Sequence, residues 1–413
     1  MRMRGAVAWM AMLAAALVLA GTAGAAERGP VRIGLPVPLT GGAAQIGADM
    51  RNGFAMAIED AGGNAGGRRL EVLAEDDAGV PAQTLTKARK LVESDQVHVV
   101  AGVHLAPSCW AVAPYLNSKK IPYFFLCGND DLTQRKAQEY LVRFSWNGTQ
   151  PSHPFGEYAA KTLGYRRVAT LGADYNFGWE VVGGFQRTFE ENGGRIVQKL
   201  WFPLNAADFG PYLSQLRRDV DAVYIFAFGA LALRVAKQYQ DFGLKGKIPL
   251  IAGGPLTDES VLPAMGDEAL GIVTALHYSA ALDTPTNRRF VQTYRAKYGK
   301  VPSQFSSDTY VIGLAIVEAI KGVNGDVEDT PAFLAAAKRV RLPETPRGPV
   351  ELDETANVIN NVYVRKVERV GGQLQNTVVY TYPRVSQFWK YNKEEYLRQP
   401  LYDRDNPPCR FCQ

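Results

Sequence analysis

Apolar residues gather into short runs that alternate with amphipathic stretches along most of the chain. Residues 31–37 form an apolar strand, after which Met50, Phe54, Ala57, Ile58 and Ala61 recur at helical spacing until Gly62-Gly63 stop the helix. The alternation continues with a strand at 70–73, a helix at 82–94 carrying Leu85, Ala88, Leu91 and Val92 on one face, a strand at 97–103, a helix at 110–116 and a strand at 121–126. After Asn147-Gly148 the pattern restarts. Helices at 155–163, 178–191, from Asp208, and 230–242 interleave with strands at 168–171, 196–200, 222–227, 249–252 and 271–275. Three more helices, at 287–298, 306–321 and 331–338, need a sheet to pack on and are expected to return to the first lobe. The fold class is α/β, with two doubly wound lobes whose parallel sheets are covered on both faces.

The first 26 residues stand outside that pattern. Arg2 and Arg4 precede an apolar run at 6–20 and the small residues Ala23-Gly24-Ala25, the order of a secretory signal peptide; the run is shorter than the roughly 20 residues of a spanning helix. A freely diffusing, periplasmic, monomeric protein is expected. The 413 residues carry 46 Lys and Arg against 41 Asp and Glu, and removing Arg2 and Arg4 leaves 44 against 41. That balance excludes a nucleic-acid footprint. Export permits disulfides, and Cys109, Cys127, Cys409 and Cys412 allow three pairings. Cys409 and Cys412 have redox spacing but lie in a Pro-rich tail, so a structural staple is expected. His98, His104, His153 and His277 show no metal-ligand spacing, and neither metal nor cofactor is expected.

Ligands of open α/β sheets bind beyond the carboxyl ends of the strands. The loops there are rich in aromatics and poor in charge: 39–47, 104–109, 127–130, 174–179, 226–229 and 253–257. The segment 39–47, the run Glu75-Asp76-Asp77, the turn Gly172-Ala173-Asp174-Tyr175, and Asp208-Phe209 leading to Asp221-Ala222-Val223-Tyr224 resemble the leucine/isoleucine/valine-binding group of type I periplasmic binding proteins. The likeness runs over about 31–354. It implies two lobes joined by three crossings near Asn147, His277 and Pro349, closing on a small solute and presenting it to an ATP-binding-cassette permease. The implied N-terminal lobe is 27–147 plus 278–350, the C-terminal lobe 148–277 plus 351–386, and 387–413 is a tail packed by default on the second lobe.

The resemblance also places a binding site. The positions that hold an amino-acid carboxylate fall at Ala106, with Ser108 beside it, and at Asn129; the acid that holds the ammonium falls at Gly253 or Gly254. A buried ammonium without a paired acid is costly, which argues against an α-amino acid, although Asp258 could supply the acid. Side-chain walls fall on Phe177, Phe228, Phe305 and Ile46, with Trp110, Trp179, Tyr175 and Phe226 as extensions. An aromatic or arylalkanoic acid follows, its carboxylate held by Ser108, Asn129, Thr40 and loop amides, with Gln45 a further donor.

Structural roles compete with several of these assignments. Phe226 reads as strand core, Trp110 and Trp179 could pack under their own helices, Asn129 could stabilise a turn, and His104 reads as a surface or hinge-rim residue. Branched-chain amino acid or amide binding, and a sensing subunit that docks on a receptor, are the alternative functions. No nucleophile-base-acid set and no phosphate loop is present, so no enzyme is expected.

Overall fold

The computed structural model describes residues 28–412; the expected signal peptide at 1–26 lies outside them. In chain order the first lobe contains β1 (Val31–Val37), α1 (Ala44–Asp60), β2 (Asn64–Ala65), β3 (Arg68–Asp76), α2 (Pro81–Arg89), β4 (Val99–Gly102), α3 (Ala106–Ser118), β5 (Tyr123–Phe125) and β6 (Leu141–Val142). The expected helix at 82–94 is present, with Lys90–Ser94 widened into a π turn. β1 is apolar on both faces because helices cover both. Its sheet has the order β2-β3-β1-β4-β5-β6 and is parallel apart from the β2–β3 pair.

The second lobe follows with α4 (Thr149–Lys161), β7 (Arg167–Ala173), α5 (Asn176–Glu191), β8 (Arg195–Phe202), α6 (Gly210–Gln215), β9 (Ala222–Phe226), α7 (Gly229–Asp241), β10 (Leu250–Gly253) and β11 (Val273–Leu276). Then α8 (Pro285–Tyr298), α9 (Gln304–Gly322) and α10 (Thr330–Arg339) return to the first lobe, where Val311, Ala315 and Ile316 of α9 share one core with Phe54 and Ile58 of α1. The strands β12 (Arg341–Leu342), β13 (Val350–Leu352), β14 (Val358–Val370) and β15 (Gln373–Val385) complete a second sheet of order β12-β13-β14-β11-β10-β9-β7-β8, with β15 on β14. Val358 belongs to the first core, and Val362 and Val364 to the second, so one passage between lobes runs inside β14 itself.

Three fully buried arginines stitch the passages. Arg143 donates to the Thr133 hydroxyl and to Asn357 Oδ1, both at 3.0 Å, and to the Asn129 carbonyl. Arg347 pairs with Asp308 and donates to the carbonyls of Ser145 and Phe144, while His277 Nε2 lies 2.8 Å from the same Asp308. Arg365 donates to the carbonyls of Gly254 and Tyr278, each at 2.8 Å. Charges buried this deeply persist only when paired and hydrogen-bonded. The disulfides join Cys109 to Cys127 and Cys409 to Cys412.

The tail, with α11 (Lys393–Arg398), lies on the second lobe as expected, Lys199 donating to the Pro407 carbonyl and Gln186 to that of Pro408. It is also tied to the first lobe, where Arg135 donates to the carbonyls of Tyr396, Leu397 and Gln399. No helix among the described residues is long and apolar enough to cross a membrane.

Candidate ligand-binding site

Four helices begin at one place between the lobes: α3 at Ala106 and α9 at Gln304 from the first, α5 at Asn176 and α7 at Gly229 from the second. Their first residues wall a cavity together with His104, Leu126 to Gly128, Trp146, Phe226 and Pro255. The capping positions Leu105, Tyr175 and Phe228 make no side-chain capping bond, so the residue before each helix does not satisfy the first N–H groups of α3, α5 and α7.

Aromatic rings make most of the wall. Phe177 stands edge-on to Trp146 at 5.3 Å and to Phe226 at 5.6 Å, and Tyr175 lies 6.1 Å from Phe228. On the first lobe His104 meets Phe305 edge-on at 5.0 Å. The space open to the centre of a water molecule is narrow, about 40 Å³. Among the described residues no carboxylate side chain lines it.

Polar groups face this apolar cage without partners. Both ring nitrogens of His104 and both amide atoms of the fully buried Gln304 have no hydrogen-bond partner among the described residues. Burial pushes His104 down to about 4, so the imidazole is neutral at ordinary pH. The residue before it, Val103, holds φ at +62°. A β-branched residue in the left-handed region costs of order 1–3 kcal/mol, and such strain gathers at functional sites.

Of the residues expected from the sequence, Ala106, Phe177, Phe228 and Phe305 line the cavity, as do Tyr175 and Phe226. Phe226 is at once strand core and wall. The other positions go elsewhere, for identifiable reasons. The Thr40 hydroxyl is exposed and donates to Asp76 Oδ2 at 2.7 Å, and Gln45 is exposed on α1, donating to Asp49 at 3.1 Å. Ile46 is absorbed by the first core. Ser108 points under α3, where it accepts from Thr84 at 3.0 Å, and Asn129 opens a 3-10 turn outside the cavity lining. Trp110 and Trp179 line a separate cavity of about 910 Å³ between α5, the 130–136 loop and the tail.

Gly254 opens on a smaller neighbouring cavity, and it has no room for a side chain: a β-carbon there would lie 2.6 Å from Leu276 Cβ and 2.7 Å from the Ala275 carbonyl oxygen. Asp258 does not supply the acid either. Its carboxylate accepts from the backbone N–H of Ser260 at 2.9 Å and from that of Gln304 at 3.0 Å, joining the second lobe to the start of α9. Burial raises it to about 7.

Among the lining residues not expected as ligand contacts from the sequence, His104, Trp146 and Gln304 carry polar atoms. His104 stands in one of the strand-end loops singled out above but reads there as a rim residue; it is enclosed instead because Phe305 covers it. Gln304 had a usable signal, since Ser303 is the helix cap, accepting from Ser306 N, and the next two residues therefore face whatever the helix start faces.

Comparison with known proteins agrees with this geometry. The family profile described as "Periplasmic binding protein" matches residues 30–373. A Brucella melitensis protein named Leu/Ile/Val-binding protein homolog 6 is 31% identical over 381 residues, 90% of this chain and 96% of that one. An ABC transporter substrate-binding protein from Sphaerobacter thermophilus superimposes with a TM-score of 0.83 at 36% identity, covering 87% of this chain and 99% of its own. A Rhodopseudomonas palustris ABC transporter solute-binding protein, solved in complex with 3,4-dihydroxybenzoic acid, has a TM-score of 0.83 at 35% identity, with 87% and 98% covered. The two-lobed fold, the closed ring-lined cavity between the lobes and these relatives together assign the chain: it belongs to the periplasmic binding protein family, as a solute-binding component of an ABC transporter and not an enzyme.

Proposed function

We propose that the protein captures a small aromatic carboxylate in the periplasm and, as a monomer, delivers it to an inner-membrane permease for import. The observation that carries this reading is the convergence of four helix N-termini on an aromatic cage whose lining contains no acidic side chain. Helix starts favour an anion, and the rings favour an aromatic body. The dihydroxybenzoate held by the Rhodopseudomonas palustris relative is a molecule of this kind.

The name of the Brucella relative favours a second reading, a branched-chain amino acid. It would leave the ammonium without an acid, since Gly254 has no room for one and Asp258 is spent on α9. Thermal unfolding of ligand-stripped protein with benzoate, hydroxybenzoates, hydroxycinnamates, leucine and phenylalanine decides between them. A ligand at about 100 times its dissociation constant adds roughly 2.7 kcal/mol. Aromatic acids are expected to raise the midpoint by several degrees and leucine to leave it unchanged; a shift with leucine alone refutes the proposal.

A further inference from the structure

The Ser108 and Thr40 hydroxyls are engaged elsewhere, and Asn129, though its amide is unpartnered, lies outside the cavity lining. We propose that His104 and Gln304 are the anchors, and that His104 takes up a proton from solvent as the carboxylate arrives, pairing with it as an imidazolium. The proposal rests on the aromatic-carboxylate reading and goes on to say that binding consumes a proton.

The geometry supports it from three directions. His104 and Gln304 stand on one side of the cage, both touching the cavity, with their polar atoms unpartnered while the rest of the first-lobe wall is apolar. A buried amide and imidazole left unsatisfied are destabilising unless something else bonds them. His104 follows directly on Val103, whose φ is +62°, and the start of α9 carries Gln304. A carboxylate offers acceptors only, which suits the amide N–H of Gln304 and requires the imidazole to present N–H, the role an imidazolium fills most strongly.

The surroundings leave His104 free to respond. On the cavity wall Cys127 is tied in its disulfide, and the Tyr175 phenol is held far above its ordinary range by burial. On α9 Asp308 is paired with Arg347 and His277, and on the second lobe Asp258 is bonded to the Gln304 and Ser260 backbones. Burial alone keeps the empty-site imidazole neutral, so an entering anion is the charge that reverses the balance.

The sign follows from linkage. The complex binds a proton that the free protein lacks, so affinity rises as pH falls, by up to about tenfold per unit, until the ligand's own carboxyl begins to protonate near pH 4. The experiment is calorimetric titration of ligand-free protein with benzoate and 3,4-dihydroxybenzoate between about pH 5.5 and 7.5, in buffers of different ionisation heat. Wild type is expected to show heats that differ between buffers, reporting up to one proton taken up per ligand. His104→Gln, checked for an unchanged unfolding midpoint, is expected to bind more weakly with no buffer dependence and a flat pH profile. Gln304→Leu should weaken binding and keep the slope.

Identical heats and a flat profile in wild type overturn the proposal while leaving the ligand class standing. Proton uptake that survives in His104→Gln overturns it as well, by placing the proton elsewhere. Failure of both aromatic acids to bind overturns the carboxylate reading together with it.

Discussion

Gly128 offers the most direct test of how the cleft closes. It follows β5 in the first lobe and faces the ring of Phe177 on α5 in the second; a β-carbon built at Gly128 lies 2.3 Å from Phe177 Cε2 and 2.8 Å from Cζ. Non-bonded carbons settle at about 3.5–4.0 Å, so Gly128→Ala needs roughly 1.2–1.7 Å of extra room. Phe177 cannot step aside easily, because Trp146 and Phe226 hold it edge-on and the Gly148 backbone lies close to the same ring, where a β-carbon built on it would stand 3.0 Å away. Overpacking of this size costs about 1–3 kcal/mol. The two residues belong to different lobes, so opening the cleft relieves the clash, and the cost falls on the closed state alone. Affinity for the best aromatic acid should therefore drop about 5- to 150-fold. Unfolding of the ligand-free protein should stay within about 0.5 kcal/mol of wild type. Calorimetry gives the first quantity, and small-angle scattering with saturating ligand shows whether the variant still contracts. Wild-type affinity with wild-type contraction would refute the reasoning; so would an equal fall in ligand-free stability, which would mean that the contact is part of the unliganded fold.

Three further outcomes follow from single contacts. Phe228→Ala removes a ring at the start of α7 that stacks toward Tyr175 and Phe226, and should weaken aromatic-acid binding by about 1–2 kcal/mol, roughly five- to thirtyfold, with little change in unfolding midpoint. Arg347→Met leaves Asp308 buried beside His277 without its guanidinium, and should cost about 3–5 kcal/mol in urea unfolding. His153 is fully buried against Tyr402 of the tail and held well below its ordinary range by desolvation. Its folded form resists a proton that the unfolded chain accepts below about pH 6.5, so its stabilisation is complete above that pH and lost on acidification, at up to about 1.4 kcal/mol per unit. His153→Gln should make the loss of stability between about pH 6.5 and 5 shallower than in wild type.

What the sequence revealed was what depends on near neighbours. Strand β1 and helix α1 follow from apolar spacing over a few residues; Phe177 and Phe228 sit at or beside a helix start beyond a strand's carboxyl end, whereas Phe305, which follows helix α8, was placed by the resemblance alone. The hydroxyls were not. Thr40 looks free until Asp76, 36 residues away, takes it, and Ser108 until Thr84, 24 residues away, does the same. The acids of the resemblance motifs prove to be structural in the same manner: Asp76 gathers the N–H groups of Leu39, Thr40 and Ala78, and Asp221 those of Arg166 and Arg167. The buried arginines were the least visible, since Arg143 and Asn357 meet across 214 residues and nothing local distinguishes them from solvated neighbours.

The division of labour across the cleft bears on selectivity. The second lobe contributes Tyr175, Phe177, Phe226 and Phe228, whereas the first contributes Trp146, Phe305 and the two unpartnered polar side chains. Moving a lobe equilibrium from 1:99 to 99:1 takes about 5.5 kcal/mol of differential binding. Two hydrogen bonds to a charged group supply about 1.5–3 kcal/mol each, and ring contacts about 0.5–1.5 each beyond burial. At mid-range, the two bonds or three ring contacts fall short alone, and together they exceed the requirement. A neutral aromatic would engage the rings yet seal His104 and Gln304 unbonded inside the closed cleft, and a short aliphatic acid would bond them yet leave the rings without a partner. On the proposed reading, closure is most favourable for a solute that carries both an aromatic face and an anionic end, because neither set of contacts alone meets the requirement.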